Sequence, residues 1–177
     1  MTTLGSDWVP DDDGIPHRQA ARMVVFAADG RLLLLHGRDG HDPDHQWWFT
    51  VGGGLEPGEE PRQAAVRELY EETGIQVSTQ DLIGPVLSRS AQFHFMNVTA
   101  RQDELFYLAF LQGNPQNIAK EHRTELEGEV LTGERWVTQS ELEDLAASET
   151  VYPHGLAQMV SHWRSGWDGV CRHVIER

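Results

Sequence analysis

Residues 52–75 read GGGLEPGEEPRQAAVRELYEETGI, and the fold turns on them. Pro61 suits a first helical turn, Glu59 and Glu60 favour the positive N-terminal end of a helix, and Gly74 suits its C-terminal cap. Together they predict a helix over residues 61–73. Within it Glu68, Glu71 and Glu72 stand at i, i+3 and i+4 and share one face, while Ala64, Ala65 and Leu69 give an apolar face that can pack on a sheet. Like-charged pairs at this spacing cost about 0.2–0.5 kcal/mol each, and near the negative C-terminal end they also oppose the helix dipole. Arg67 relieves part of that cost. A hard divalent cation relieves more, because Mg²⁺ takes carboxylate oxygens and bridges to substrate phosphates. Such an ion also holds phosphates in place and lowers the pKa of an attacking water. The glycines at 52–54 let backbone come close to that site and present a carbonyl to it. Taken alone, the helix also fits a solvated acidic face, and the residues around it decide between the two.

Outward from the helix, the chain alternates apolar runs with turns. Residues 20–27 (AARMVVFA) read as a buried strand, Ala28-Asp29-Gly30 as a hairpin turn, and 31–36 (RLLLLH) as the returning strand. Residues 37–46 form a polar loop, and Trp47 to Val51 a short aromatic strand that runs into the glycines. Further strands are expected near 82–89, 104–112 and 133–138. A short helix follows with Ser140 as N-cap and Glu143 completing a capping box, and a last helix covers 154–165. Strands interleaved with helices imply an α/β domain with layers on a mixed sheet. Three segments are expected: an irregular lead-in over 1–19, the domain over 20–165, and a tail over 166–177.

The 177 residues suit one domain, and 39% of them are hydrophobic, enough for a core. No apolar run approaches the roughly 18 residues that span a bilayer. The polar, acidic first residues do not read as a signal peptide. The single cysteine, Cys171, forms no internal disulfide, so a cytoplasmic location is expected. With 28 acidic and 14 basic residues the formal charge is −14, a surface that repels nucleic acid duplexes and anionic membranes. It also repels a small phosphate substrate unless cations intervene.

From Gly53 the chain runs Gly53-x5-Glu59-x7-Arg67-Glu68-Leu69-Tyr70-Glu71-Glu72-Thr73-Gly74-Ile75. This resembles the Nudix box, G-x5-E-x7-R-E-U-x-E-E-x-G-U with U a bulky aliphatic, at every specified position. Weaker resemblance extends over about residues 20–145. The resemblance implies a Nudix-type α/β/α sandwich and a pyrophosphohydrolase acting on a nucleoside diphosphate linked to another moiety: ADP-ribose, a nucleotide sugar, a dinucleotide or a nucleoside triphosphate. It implies Mg²⁺, with Mn²⁺ as the alternative, on Glu68, Glu71, Glu72 and the Gly52 carbonyl. Arg67 and Glu59 match the ion pair that supports those ligands. A glutamate in a later loop is implied as the base or a further ligand, and the candidates are Glu129 and Glu127. The implied partner is a small nucleotide, with a homodimer as an option. The alternative is a Nudix fold that senses a nucleotide without cutting it. Such modules often lose box glutamates, and this chain keeps all three.

The departures are few. Val51 stands where many members have proline. The downstream substrate markers are missing: the Ser-Gln-Pro-Trp-Pro-Phe-Pro-x-Ser string is absent, position 90 is Ser90 rather than proline, and position 93 is Phe93 rather than tyrosine. His41-Asp42-Pro43-Asp44-His45 has no cysteine partners and reads as a loop at the pocket rim rather than a zinc site, with Arg38 near a substrate phosphate. Trp47 and Trp48 point opposite ways along a strand, so one is core and the other lines the pocket. Trp48 is taken as the one that binds substrate.

Overall fold

A strand that changes partner halfway divides the sheet and opens the cleft in which the box residues lie. A computed structural model describes residues 4–177. In chain order the elements are β1 (Val9–Pro10), β2 (Pro16–Phe26), β3 (Leu32–Arg38), β4 (Gln46–Phe49), β5 (Val51–Gly54), α1 (Pro61–Thr73), β6 (Ile83–Phe95), β7 (Val98–Phe110), α2 (Glu125–Val130), β8 (Leu131–Val137), α3 (Gln139–Ser148), β9 (Val151–Tyr152), α4 (Leu156–Trp163) and β10 (Arg172–Glu176). The path of the sheet is β10-β6-β7-β2-β3-β4-β9, with β1 and β5 on β2 and β8 on β3. β2 runs parallel to β7 over ten residue pairs but meets β3 only at Phe26 and Leu32. The two halves splay apart from that point.

The expected aromatic strand over 47–51 is two strands. β4 pairs with β3, and after Thr50 the chain crosses to pair Val51–Gly54 with Met23–Ala20 of β2. Each strand finishes with a partner for its backbone, and the glycines are carried to the middle of the cleft.

The layers are those of the α/β/α sandwich. On one face Ala64, Ala65 and Leu69 of α1 pack with Met23, Val25, Leu33 and Leu35. On the other, Leu142 and Leu145 of α3 and Leu156, Val160 and Trp163 of α4 pack with Val24, Phe26, Leu34 and Leu108. The alternation along β2 and β3 sends successive side chains to opposite cores.

Several boundaries differ from the sequence reading. β2 begins at Pro16 rather than 20, because His17 and Arg18 find Asp103 and Gln102 on the parallel neighbour and so tolerate a strand position. Residues 1–3 of the expected lead-in lie outside the described residues. β6 and β7 each extend to a two-residue turn at Met96-Asn97, both at positive φ. No glycine marks that turn. The capping box of α3 is Thr138 with Glu141 rather than Ser140 with Glu143, since β8 ends at Val137 and Thr138 is the first residue free to cap. The expected tail contains β10, which lies parallel to β6 from Arg172↔Leu87 to Glu176↔Ala91. Among the described residues no helix is long and apolar enough to cross a membrane.

Candidate active site

α1 spans the expected residues. Pro61 fills the first turn and the Glu60 N–H donates to Gln63 Oε1 at 3.0 Å. Gly74 ends the helix in the left-handed region at φ 75°. A Cβ at Gly53 would lie 2.6 Å from Glu68 Oε1 and push the carboxylate aside, so glycine lets β5 pass this close to it.

The acids on α1 differ in surroundings. Glu72 is 3% exposed and accepts the Gly52 N–H at 2.9 Å. Glu68 is 6% exposed, and Glu71 lies nearer solvent. Arg67 donates to both oxygens of Glu59 at 2.8 and 2.9 Å, to Glu68 at 2.9 Å, to Glu71 at 3.1 Å and to the Gly54 carbonyl at 2.9 Å. One cation is thus spread over three carboxylates. Burial pushes the Glu68 carboxyl up to about 7 against the pull of Arg67. Burial, with the charge of Glu68 beside it, pushes Glu72 well above the usual carboxylate range. Glu59 goes the other way, held down by its hydrogen bonds from Arg67.

Among the described residues, Glu68, Glu71 and Glu127 form the one group of acids able to hold a metal, with ligand oxygens within 4.8 Å of one another. Glu127 comes from α2, where its Oε2 also accepts from the Thr124 N–H at 2.7 Å. Its neighbour Glu129 is exposed and does not line the cavity. The Gly52 carbonyl accepts from Arg22 Nη1 at 2.7 Å. That leaves one lone pair of the oxygen free.

These groups open on a cavity of about 1190 Å³ between the half-sheets. Gly52, Arg67, Glu68, Glu71 and Glu72 all line it, whereas Arg38 and Trp48 do not. Arg38 is exposed at the end of β3. Trp48 packs toward the α3–α4 core, with Nε1 donating to Glu149 at 2.8 Å. Of the pair, Trp47 is the one on the cavity, which Trp8 also lines. The Trp47 indole lies over Gly37, where a Cβ would come within 2.8 Å, and makes an edge contact with Phe95 at 5.9 Å.

The cavity floor carries residues that sequence reasoning missed. Glu104 is 2% exposed, and its carboxylate takes Arg22 Nε at 2.8 Å on one oxygen and Arg89 on the other. Burial pushes Glu104 up, but Arg22 and Arg89 together outweigh it and hold the carboxyl below its ordinary value. The one signal in the sequence was Arg22, a charge inside the apolar run AARMVVFA. Its partner lies 82 residues away.

A family model described as NUDIX domain matches residues 16–156. An RNA pyrophosphohydrolase of Azorhizobium caulinodans is 39% identical over 66 residues, 36% of this chain and 39% of that protein. The chain thus spans about two fifths of the length of that relative. The E. coli dihydroneopterin triphosphate pyrophosphohydrolase superposes with a TM-score of 0.54 at 23% identity, covering 83% of this chain and 94% of the other. A MutT protein from Bacillus halodurans gives 0.57 at 18%, covering 88% and 89%. At such identities the likeness speaks for the fold.

Proposed function

Because the chain belongs to the Nudix family, we propose that it is a divalent-metal-dependent pyrophosphohydrolase of a nucleoside diphosphate linked to another moiety. The observation that carries this is the convergence of Glu68, Glu71 and Glu127, from two helices, beside a glycine turn on one large cavity. Acids that crowd one another and share a single arginine suit a hard cation, and every donor is oxygen. Glu68 and Glu71 would hold the ion, with Glu72 and the Gly52 carbonyl adjoining and Glu127 beside them. When bound, Mg²⁺ offsets the charge between the carboxylates and the substrate phosphates and acidifies water. Mn²⁺ fits the same donors.

The protein's own groups do the rest. Arg67, tied to Glu59 by two hydrogen bonds, fixes Glu68 and Glu71 relative to the glycine turn. Trp47 and Phe95 offer faces on which a base can stack. Water attacks one phosphorus, the bridging P–O bond breaks, and Glu127, whose Oε1 is not used by its helix cap, accepts the proton. A net charge of −14 favours a small substrate over a polyanion. The A. caulinodans relative is named for RNA and the E. coli structure for dihydroneopterin triphosphate. The panel that tests this reading includes both classes.

The experiment is phosphate-coupled turnover of nucleoside diphosphate derivatives, triphosphates and 5′-triphosphorylated RNA with Mg²⁺, with EDTA and Glu72→Gln as controls. Release from one substrate class, lost in both controls, is the expected result. Nucleotide binding without turnover across the panel would make the protein a sensor of the same fold.

A further inference from the structure

A chain of charged groups crosses the cavity floor to the glycine turn, and the chemistry above leaves it without a role. It starts on β10, beyond the residues that the family model matches. Glu176 accepts the His154 N–H at 2.9 Å on one oxygen and pairs with Arg89 Nη2 on the other. Arg89 Nη1 donates to Glu104 Oε2, and Glu104 Oε1 accepts from Arg22 Nε at 2.8 Å. Arg22 Nη1 then donates to the Gly52 carbonyl at 2.7 Å and to the Thr50 carbonyl at 3.3 Å. The Gly52 N–H completes the chain on Glu72 at 2.9 Å.

Two properties make this more than packing. First, Gly52 has no slack. Its φ is 142°, and a Cβ would sit 2.2 Å from the Ala21 carbonyl oxygen. Both of its polar groups are held by side chains, the N–H by Glu72 and the carbonyl by Arg22. Second, the two arginines and two glutamates balance in charge while nearly buried, with side-chain exposures of 12% for Arg22, 1% for Glu104, 9% for Arg89 and 11% for Glu176. In so dry a setting, loss of one charge leaves its partner uncompensated, and that partner pulls harder on what remains. Arg89 without Glu176 has Glu104 as its one carboxylate, in competition with Arg22.

We propose that Glu176, acting through Arg89, Glu104 and Arg22, is a positioning residue for the Gly52 peptide, so that the C-terminal strand sets the geometry of the glutamate site. The inference rests on the metal-dependent reading of that site. None of the four side chains need touch substrate.

Glu176→Gln keeps the shape and an acceptor for His154 but removes the charge. Arg89→Lys keeps the charge but cannot fork between two carboxylates. In the full-length protein, each is expected to lower kcat about tenfold with little change in KM. Mn²⁺ affinity, followed by electron paramagnetic resonance without substrate, is expected to fall with it. Wild-type kcat and Mn²⁺ affinity in a folded Glu176→Gln protein overturn the proposal. So do losses in both variants that merely follow the folded fraction measured by circular dichroism. A wild-type protein that binds Mn²⁺ but turns over nothing sinks the hydrolase reading alone, and the Mn²⁺ arm still decides the role of Glu176.

Discussion

Glu72 on α1 and Glu104 on β7 are the same residue type at nearly the same burial, 3% and 2% exposed, and their carboxyls shift in opposite directions. Glu104 faces two arginines, one of them shared with Glu176, and the buried set Arg22, Arg89, Glu104 and Glu176 is neutral. Glu72 faces Glu68, with Glu127 farther off, and the nearest cation on its helix is already spread over Glu59, Glu68 and Glu71. Burial alone does not set the state of a carboxylate; the count of partners does. The strand-borne network is balanced in charge as it stands, whereas the helix-borne cluster calls for a cation from outside.

That contrast is broken most sharply by paired isosteric changes. Glu72→Gln is expected to cost about two to three orders of magnitude in kcat, as removal of several kcal/mol of transition-state stabilisation does. In EDTA it should melt no lower than wild type, because glutamine keeps the acceptor for the Gly52 N–H and has no charge to bury. Glu104→Gln is expected to do the reverse to stability. It leaves two buried arginines short of a partner, at a cost of about 3–5 kcal/mol, read as a lower denaturant midpoint. If Glu72→Gln destabilises the metal-free protein as much as Glu104→Gln does, the distinction drawn here is wrong.

The acidic cluster also gives the metal-free protein a pH dependence with a definite sign. Glu68 titrates near 4.5 when unfolded and about 7 when folded. Below pH 4.5 it is protonated in both states and costs nothing. As pH rises from there to about 7 the unfolded chain loses its proton first, so stability falls, by on the order of 3 kcal/mol once the folded pKa is passed. Glu72 shifts in the same direction and adds to the fall. Glu59 and Glu104, shifted down, lose their contributions only as the solution is acidified below this window. Calorimetry in EDTA should therefore show the melting temperature dropping from pH 5 to 8, and Mg²⁺ should flatten that slope. A flat EDTA profile would mean that Glu68 is not buried as charge.

What could be read from the sequence is what is encoded locally. The helix over 61–73, its proline start, its glycine end and its acidic face are all set by residues within one or two turns of one another. The α/β/α layering follows from the alternation along β2 and β3. Long-range pairs were invisible: Arg22 with Glu104, Arg89 with Glu176, and the whole of β10, whose exposed and half-buried residues carry no apolar run. The choice between Glu127 and Glu129 shows the boundary well. Two residues apart on α2 they stand about 200° apart around the helix axis, so only one can face α1, and the sequence does not say which. Glu127 faces Glu68 and Glu71. Glu127→Gln, which preserves the acceptor for the Thr124 cap, is expected to lower kcat about a hundredfold or more. Glu129→Gln is expected to leave steady-state rates at the wild-type value, and the opposite pattern would remove Glu127 from the site.

The tryptophan pair gives the smallest effect and the finest test of which half-sheet meets the substrate. Trp47 and Trp48 are adjacent, both half-buried, and turned to opposite faces of β4. Trp47 lies over Gly37, against His45 and Phe95, with its surface on the cavity. Trp48 lies 4.6 Å from the His36 ring and bonds Glu149. Loss of one aromatic contact is worth about 1 kcal/mol, so Trp47→Leu should raise KM about fivefold while kcat stays. Trp48→Phe keeps the apolar body but loses the bond to Glu149, so it should lower the melting temperature and leave KM alone. A KM effect at Trp48 with none at Trp47 would place the base on the α3–α4 side of β4 and reverse the assignment of the cleft wall.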